Sequence, residues 1–315
     1  YLIVQHMEPD HSANLANFME KYPTATVVAT AAAFNMMKNF FGKDYADRRM
    51  MVKEGDTLSL GKHELTFVMA PMVHWPEVMV EYESTEKILF SADGFGKFGA
   101  LSADEDWTCE ARRYYFNIVG KYGAPVQTLL KKAAGLDIQT ICPLHGPILK
   151  ENLEYYIDKY NTWSSYEPED EGVLVASASI HGNTRKAAEK MAEILKEKGA
   201  AKVAFTDLTR DDMAEAVEDA FRYSKLVLCA ASYDGGVFPP MEDFLNRLAH
   251  KSYQKRKVAM IENGSWAPTA KRAMTGMLEG MKNLSICENN VTIMSVMKDK
   301  DIAAMETLAD ELLSE

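Results

Sequence analysis

The chain has 315 residues, enough for two domains whose cores stand without disulfide or metal staples. It is 47% hydrophobic and 26% charged, an ordinary globular composition, and its formal charge of −11 argues against a nucleic-acid partner, which would need a basic face. With no apolar run of membrane-spanning length and no basic, apolar leader, no membrane contact and a cytoplasmic location are expected.

Four cysteines, Cys109, Cys142, Cys229 and Cys287, are scattered without a C-x-x-C pair. That spacing excludes an internal zinc ribbon or rubredoxin-like iron site and suits a reducing compartment. Cys229 lies in an apolar strand pattern and reads as a small buried hydrophobe, and the other three also read as structural.

An apolar run over residues 2–4 reads as a buried strand, and His6, Glu8, Asp10 and His11 follow within six positions. In an extended segment, alternation sets His6, Glu8 and Asp10 on one side, so their side chains converge. Each is a metal-ligand type, imidazole or hard carboxylate, with no thiolate among them. The competing reading is a polar turn rich in His and acid. A metal-binding domain rarely begins on its site strand, so the N-terminal part of this domain is expected to lie outside the chain.

A short helix is expected after His11, with Leu15, Phe18 and Met19 at helical spacing, then a strand over 27–29 and a helix over 31–41 that stops at Gly42. From 51 to 92 the period falls to two, giving strands over 57–60, 64–69, 78–82 and 87–90. Helices over 109–118 and 126–134 and a strand over 138–142 complete the region. Three of these strands run into a lone ligand type beside Gly or Pro: His74, Asp93 and His145. Loops at one rim of a sheet build a site in this way. His63 falls outside the pattern and reads as surface.

The order His6-x-Glu8-x-Asp10-His11, His74, Asp93, His145 resembles the metallo-β-lactamase fold in its diiron form. Hydrolases of that fold carry His where this chain has Glu8, and a carboxylate there hardens the site towards iron.

A polar segment over 161–171 breaks the pattern, placing a domain boundary between residues 166 and 167. Beyond it a buried strand over 172–176 runs into Ser177-Ala178-Ser179-Ile180-His181-Gly182-Asn183-Thr184 and then a helix with Ala187, Met191, Ile194 and Leu195 on its apolar face. A strand, a hydroxyl-rich loop and a helix start form a phosphate cradle of backbone amides, helix dipole and hydroxyls. Lacking the Lys of a P-loop and the pattern G-x-G-x-x-G, it looks like the FMN phosphate loop of flavodoxins. Strands over 203–205, 226–230, 258–261 and 291–296, with a last helix over 301–313, predict a five-stranded doubly wound parallel sheet. Two of its loops, Ser232-Tyr233-Asp234-Gly235-Gly236 and Asn263-Gly264-Ser265-Trp266, resemble those that flank the flavin ring. The fold class is α/β: a metallo-β-lactamase-like αββα domain over 1–166, then a flavodoxin-like domain over 167–315.

This order of domains resembles the flavodiiron proteins across nearly the whole chain. The resemblance implies an oxidoreductase that reduces dioxygen to water, nitric oxide to nitrous oxide, or both, with FMN relaying electrons to two non-haem irons. It implies His6, Glu8 and His74 on one iron, Asp10, His11 and His145 on the other, and Asp93 bridging. It further implies a head-to-tail homodimer or homotetramer and a separate electron donor, either rubredoxin, reduced deazaflavin or a reductase. Two other readings compete. One is a zinc hydrolase with a flavodoxin-like regulatory module, against which Glu8 and the redox domain count. The other is an electron carrier with a degenerate metal domain, against which the full set of ligand types counts.

Overall fold

The computed structural model describes residues 1–314 and divides the chain into two compact units, Tyr1–Ser165 and the residues from Tyr166 onward. Among the described residues no helix is long and apolar enough to cross a membrane.

The first unit has four layers, the αββα expectation. Strands β1 (Leu2–Ile3), β2 (Val27–Ala29) and β3 (Arg49–Met51) form a parallel three-stranded sheet in that order. Helices α1 (Pro9–Ser12), α2 (Leu15–Lys21) and α3 (Ala31–Phe41) intervene between these strands. Leu15 and Met19 of α2 and Ala33, Phe34 and Met37 of α3 pack with Val27 and Ala29 of the sheet. Thr30 caps α3 by accepting from Ala33 N at 3.2 Å, and Gly42 ends it at φ +70, a left-handed cap that glycine adopts without strain.

Period-two sequence follows as β4 (Thr57–Ser59), β5 (Glu64–Met69), β6 (Met79–Glu83) and β7 (Ile88–Phe90). Together with β8 (Thr140–Cys142) they make a five-stranded sheet, antiparallel except for the parallel pair β7 and β8. Val28 of the first sheet meets Leu58, Leu65, Phe67 and Met79 of the second, the apolar layer between sheets. The unit also holds helices α4 (Trp107–Tyr114), α5 (Gly123–Ala133) and α6 (Leu153–Ser164), with Tyr114 of α4 and Tyr160 and Trp163 of α6 buried.

Some sequence expectations give way here. The helix expected over 109–118 is α4 followed by a wider π-turn at Tyr115–Val119. The segment over 161–171 is helix to Ser164 and strand from Asp170, because buried Tyr160, Trp163 and Ser164 give its first part an apolar face.

The second unit is doubly wound. Its strands are β9 (Asp170–Ala178), β10 (Val203–Asp207), β11 (Tyr223–Tyr233), β12 (Gly236–Val237), β13 (Lys257–Asn263), β14 (Ser285–Ile286) and β15 (Val291–Ile293). Its helices are α7 (Asn183–Glu197), α8 (Met213–Arg222), α9 (Pro239–His250), α10 (Ala270–Leu278) and α11 (Asp299–Leu313). The parallel order is β10-β9-β11-β13, with β14 and β15 both on β13, so the fifth position holds two short strands rather than the one expected over 291–296. Central β9 is buried from Gly172 to Ala178, which is why it reads as an unbroken apolar run. The α7 face of Ala187, Met191, Ile194 and Leu195 packs on Val173, Val175 and α11 residues Met305 and Leu308. Loops leaving the carboxyl ends of β9, β11 and β13 gather where such sheets bind ligands.

Candidate functional sites

Two groups of ligand-type side chains meet at Asp93. In one, His6, Glu8, His74 and Asp93 bring an atom each within 4.8 Å of the others, and in the second Asp10, His11 and His145 do so. Asp93 Oδ2 lies 3.1 Å from His74 Nε2 and 3.4 Å from His6 Nε2, while Oδ1 lies 3.1 Å from His11 Nε2 and 3.7 Å from His145 Nε2. Glu8 closes the first group at 3.1 Å from His74 Nε2, and Asp10 the second at 3.2 Å from His145 Nε2.

Local structure explains the split. Extended alternation put Asp10 alongside His6 and Glu8, but Pro9 occupies the first position of α1 and turns the chain after Glu8 into a helix. Asp10 and His11 therefore leave the line of the strand and join His145. His74 stands in the loop after β5, and Asp93 in tight turns after β7, where Gly94 N donates to Ser91 O and Gly96 N to Asp93 O. Gly96 is required by close approach: a Cβ there would sit 3.0 Å from Asp93 O and 3.3 Å from His145 Cβ.

Burial raises the cost of charge on Asp93, yet the imidazoles of His11, His74 and His6 hold its carboxyl well below the usual range. Burial opposes charge on His11 and His74 too, but Asp93 outweighs it and raises both. Asp93 Oδ2 is nonetheless buried without a hydrogen-bond partner, and the His74 approach lacks hydrogen-bond geometry. Such a set, imidazole nitrogens and carboxylate oxygens crowded together with one buried carboxylate oxygen left unsatisfied, fits hard to borderline metal ions.

The sequence did not single out Glu77. It is 1% exposed, its Oε1 lies 2.7 Å from His6 Nδ1 and it accepts from Met7 N at 2.8 Å. A carboxylate there places the proton of His6 on Nδ1 and leaves Nε2 aimed at Asp93. Although burial opposes it, these bonds lower the Glu77 carboxyl. Tyr114, also missed, sets its ring 5.5 Å from that of His145, and burial pushes its hydroxyl far up. His63 is half-buried and pairs with Glu83 at 3.2 Å instead.

In the second unit a cavity of about 530 Å³ is lined by Ser179, Ile180, His181, Asn183 and Thr184 after β9, by Ser232, Tyr233, Asp234 and Gly235 after β11, and by Asn263, Gly264, Ser265 and Trp266 after β13. The α7 amino end opens on it. Gly182 caps that helix at φ +89, and its N–H donates to Ser179 Oγ at 3.0 Å. Ser177, Gly182 and Gly236 do not line the cavity. Ser177 is wholly buried because β9 continues to Ala178 and turns its hydroxyl inward, and Gly236 sits in β12, where its carbonyl accepts from Thr269 Oγ1.

Thr269 and Ser295 line the cavity unforeseen, the latter because β15 ends at Ile293 rather than continuing to 296. Several polar side chains are occupied in holding loops: Ser232 Oγ accepts from Thr269 N, and Asn263 exchanges two bonds with Ser295. The exposed rings of Tyr233 and Trp266, the latter 88% exposed, stand over the opening as flat apolar surfaces.

Residues 1–146 match the family model described as ODP family beta lactamase. The chain is 29% identical over 317 residues to a nitric oxide reductase of Moorella thermoacetica, covering 96% of this chain and 77% of the relative. It is similar in structure to the flavodiiron protein of Giardia intestinalis, with a TM-score of 0.92 at 22% identity over 99% of this chain and 80% of that one. The rubredoxin oxygen:oxidoreductase of Desulfovibrio gigas gives a TM-score of 0.90 at 24% identity, over 99% of this chain and 80% of that one. The chain spans about half the length of the curated relatives it matches first.

Proposed function

We propose that the chain is a flavodiiron protein and that it reduces dioxygen to water, nitric oxide to nitrous oxide, or both, at a diiron centre in its first unit with FMN in its second. The observation that carries this reading is the division of the Asp93 carboxylate between two ligand groups, Oδ2 towards His6 and His74 and Oδ1 towards His11 and His145. One iron would be held by His6, Glu8 and His74, the other by Asp10, His11 and His145, with Asp93 shared. Bound there, two irons and a flavin supply open coordination positions for a diatomic molecule and storage for an electron pair.

The chain's own residues prepare that chemistry. Glu77 orients His6, whose side chain is fully buried, and Trp75 packs edge-on to it with ring centroids 5.1 Å apart. Glu8 and Asp10, with side chains 36% and 48% exposed, leave the substrate side open. Tyr114 keeps its proton and stands beside His145 as a neutral donor. In the second unit the amides of the α7 amino end and Thr184 would take the phosphate, and Tyr233 and Trp266 would flank the ring. A separate electron donor, a head-to-tail homodimer or homotetramer, and a cytoplasmic location belong to the same proposal.

The test is metal and flavin content after anaerobic purification, followed by turnover of each gas. Two irons and one FMN per chain with turnover are expected. Two zincs with hydrolytic activity would overturn the reading in favour of a hydrolase, and FMN without metal in favour of an electron carrier.

A further inference from the structure

An apolar cavity of about 210 Å³ lies within the first unit, between the five-stranded sheet and helices α5 and α6. Val80 and Leu89 of the sheet face Val126 and Ile157 of the helices across it. Part of its wall is buried chain that carries the metal-type ligands: Val73 precedes His74, and Gly94 and Phe95 follow Asp93. Other lining residues reach solvent, Ala133 and Leu136 being half-buried and Ala134 exposed. The space therefore extends from the surface to the back of the Asp93 turn.

Its chemistry selects the occupant. The two polar side chains on its wall are engaged with that turn: Ser91 Oγ donates to Gly94 O at 2.7 Å, and Tyr160 Oη accepts from Phe95 N at 2.7 Å. Water needs two or more polar partners to stay, and apolar cavities of about 150 Å³ remain dry and bind xenon or benzene. Close-packed interiors seldom keep so large a void, because each unfilled volume costs stability.

We infer that this cavity is a holding site for a small apolar gas, which it delivers to the Asp93 and His74 wall. The gas-holding part stands on the cavity alone, while the delivery part rests on the reductase reading above.

Xenon is the probe, applied under pressure to crystals of the iron- and FMN-loaded protein. Xenon density between α5, α6 and the sheet is expected, and its absence would overturn the inference. Ala133→Phe near the opening should remove the xenon site and raise KM for the gas about tenfold with kcat unchanged, the pattern of impaired access. Val126→Phe, deeper in the cavity, should do the same if Ala133→Phe proves unstable. Loss of xenon with an unaltered KM would overturn delivery. If the loaded native protein turned over neither gas, the reductase reading and delivery would both fall, whereas xenon occupancy would still establish the holding site.

Discussion

The two candidate sites sit on similar scaffolds, loops at the ends of strands, yet they are built from different materials. The first is a set of charged and imidazole side chains, aimed from residues 6–11 and from the separate loops of His74, Asp93 and His145, and drawn together on the buried Asp93 carboxylate. The second is made of helix-end amides, glycines and short hydroxyl side chains, many already spent on holding neighbouring loops. A site of side chains concentrates its energy in a few atoms, so single substitutions break it. A backbone cradle spreads it over groups that substitution cannot remove, and is therefore more tolerant.

The largest effect that this contrast predicts is at Asp93. Asp93→Ala should abolish binding of both irons, measured by elemental analysis, and leave FMN stoichiometry unchanged. Two irons per chain in that variant would remove Asp93 from the shared position. Next comes Glu77→Gln, which keeps shape but loses the carboxylate behind His6. An iron affinity about 10–100-fold lower is expected in chelator competition, and an unchanged affinity would show that His6 needs no such support.

In the second unit the expected loss is smaller. Thr184→Ala should weaken FMN by about 1 kcal/mol, roughly fivefold, as for one hydrogen bond, with metals unaffected. A hundredfold loss in a fluorescence titration would mean that the cradle depends on one side chain after all.

The smallest effect sharpens the contrast within the first unit, where Asp93 and Glu81 are both buried acids. Asp93 has imidazoles on both oxygens and is shifted down, whereas Glu81 is pushed well up by burial, only partly relieved by Gln5. A carboxyl with a raised folded pKa stabilises the fold fully below its unfolded value, and that contribution is lost as pH rises through the folded value. Glu81→Gln should therefore raise Tm at pH 8, by about 2–4 °C for each kcal/mol regained, and not below the ordinary carboxyl range. A thermal melt with no pH-dependent difference would deny the shift.

Local pattern made much of this readable in sequence. Helix α3 stops at Gly42, the α7 face follows from the spacing of Ala187, Met191, Ile194 and Leu195, and His74, Asp93 and His145 each follow an apolar strand. Those features depend on residues a few positions apart, where propensity and periodicity act. Tertiary structure decided the rest. Glu77 reaches His6 from 71 residues away, Asp10 joins His145 rather than its neighbour Glu8, and Ser177 turns inward while Ser295 reaches the cavity. Sequence fixes which groups can bind and where a strand gives way to a loop. Which groups meet depends on the path of each loop between packed sheets, and that path is set by contacts between segments distant in the chain.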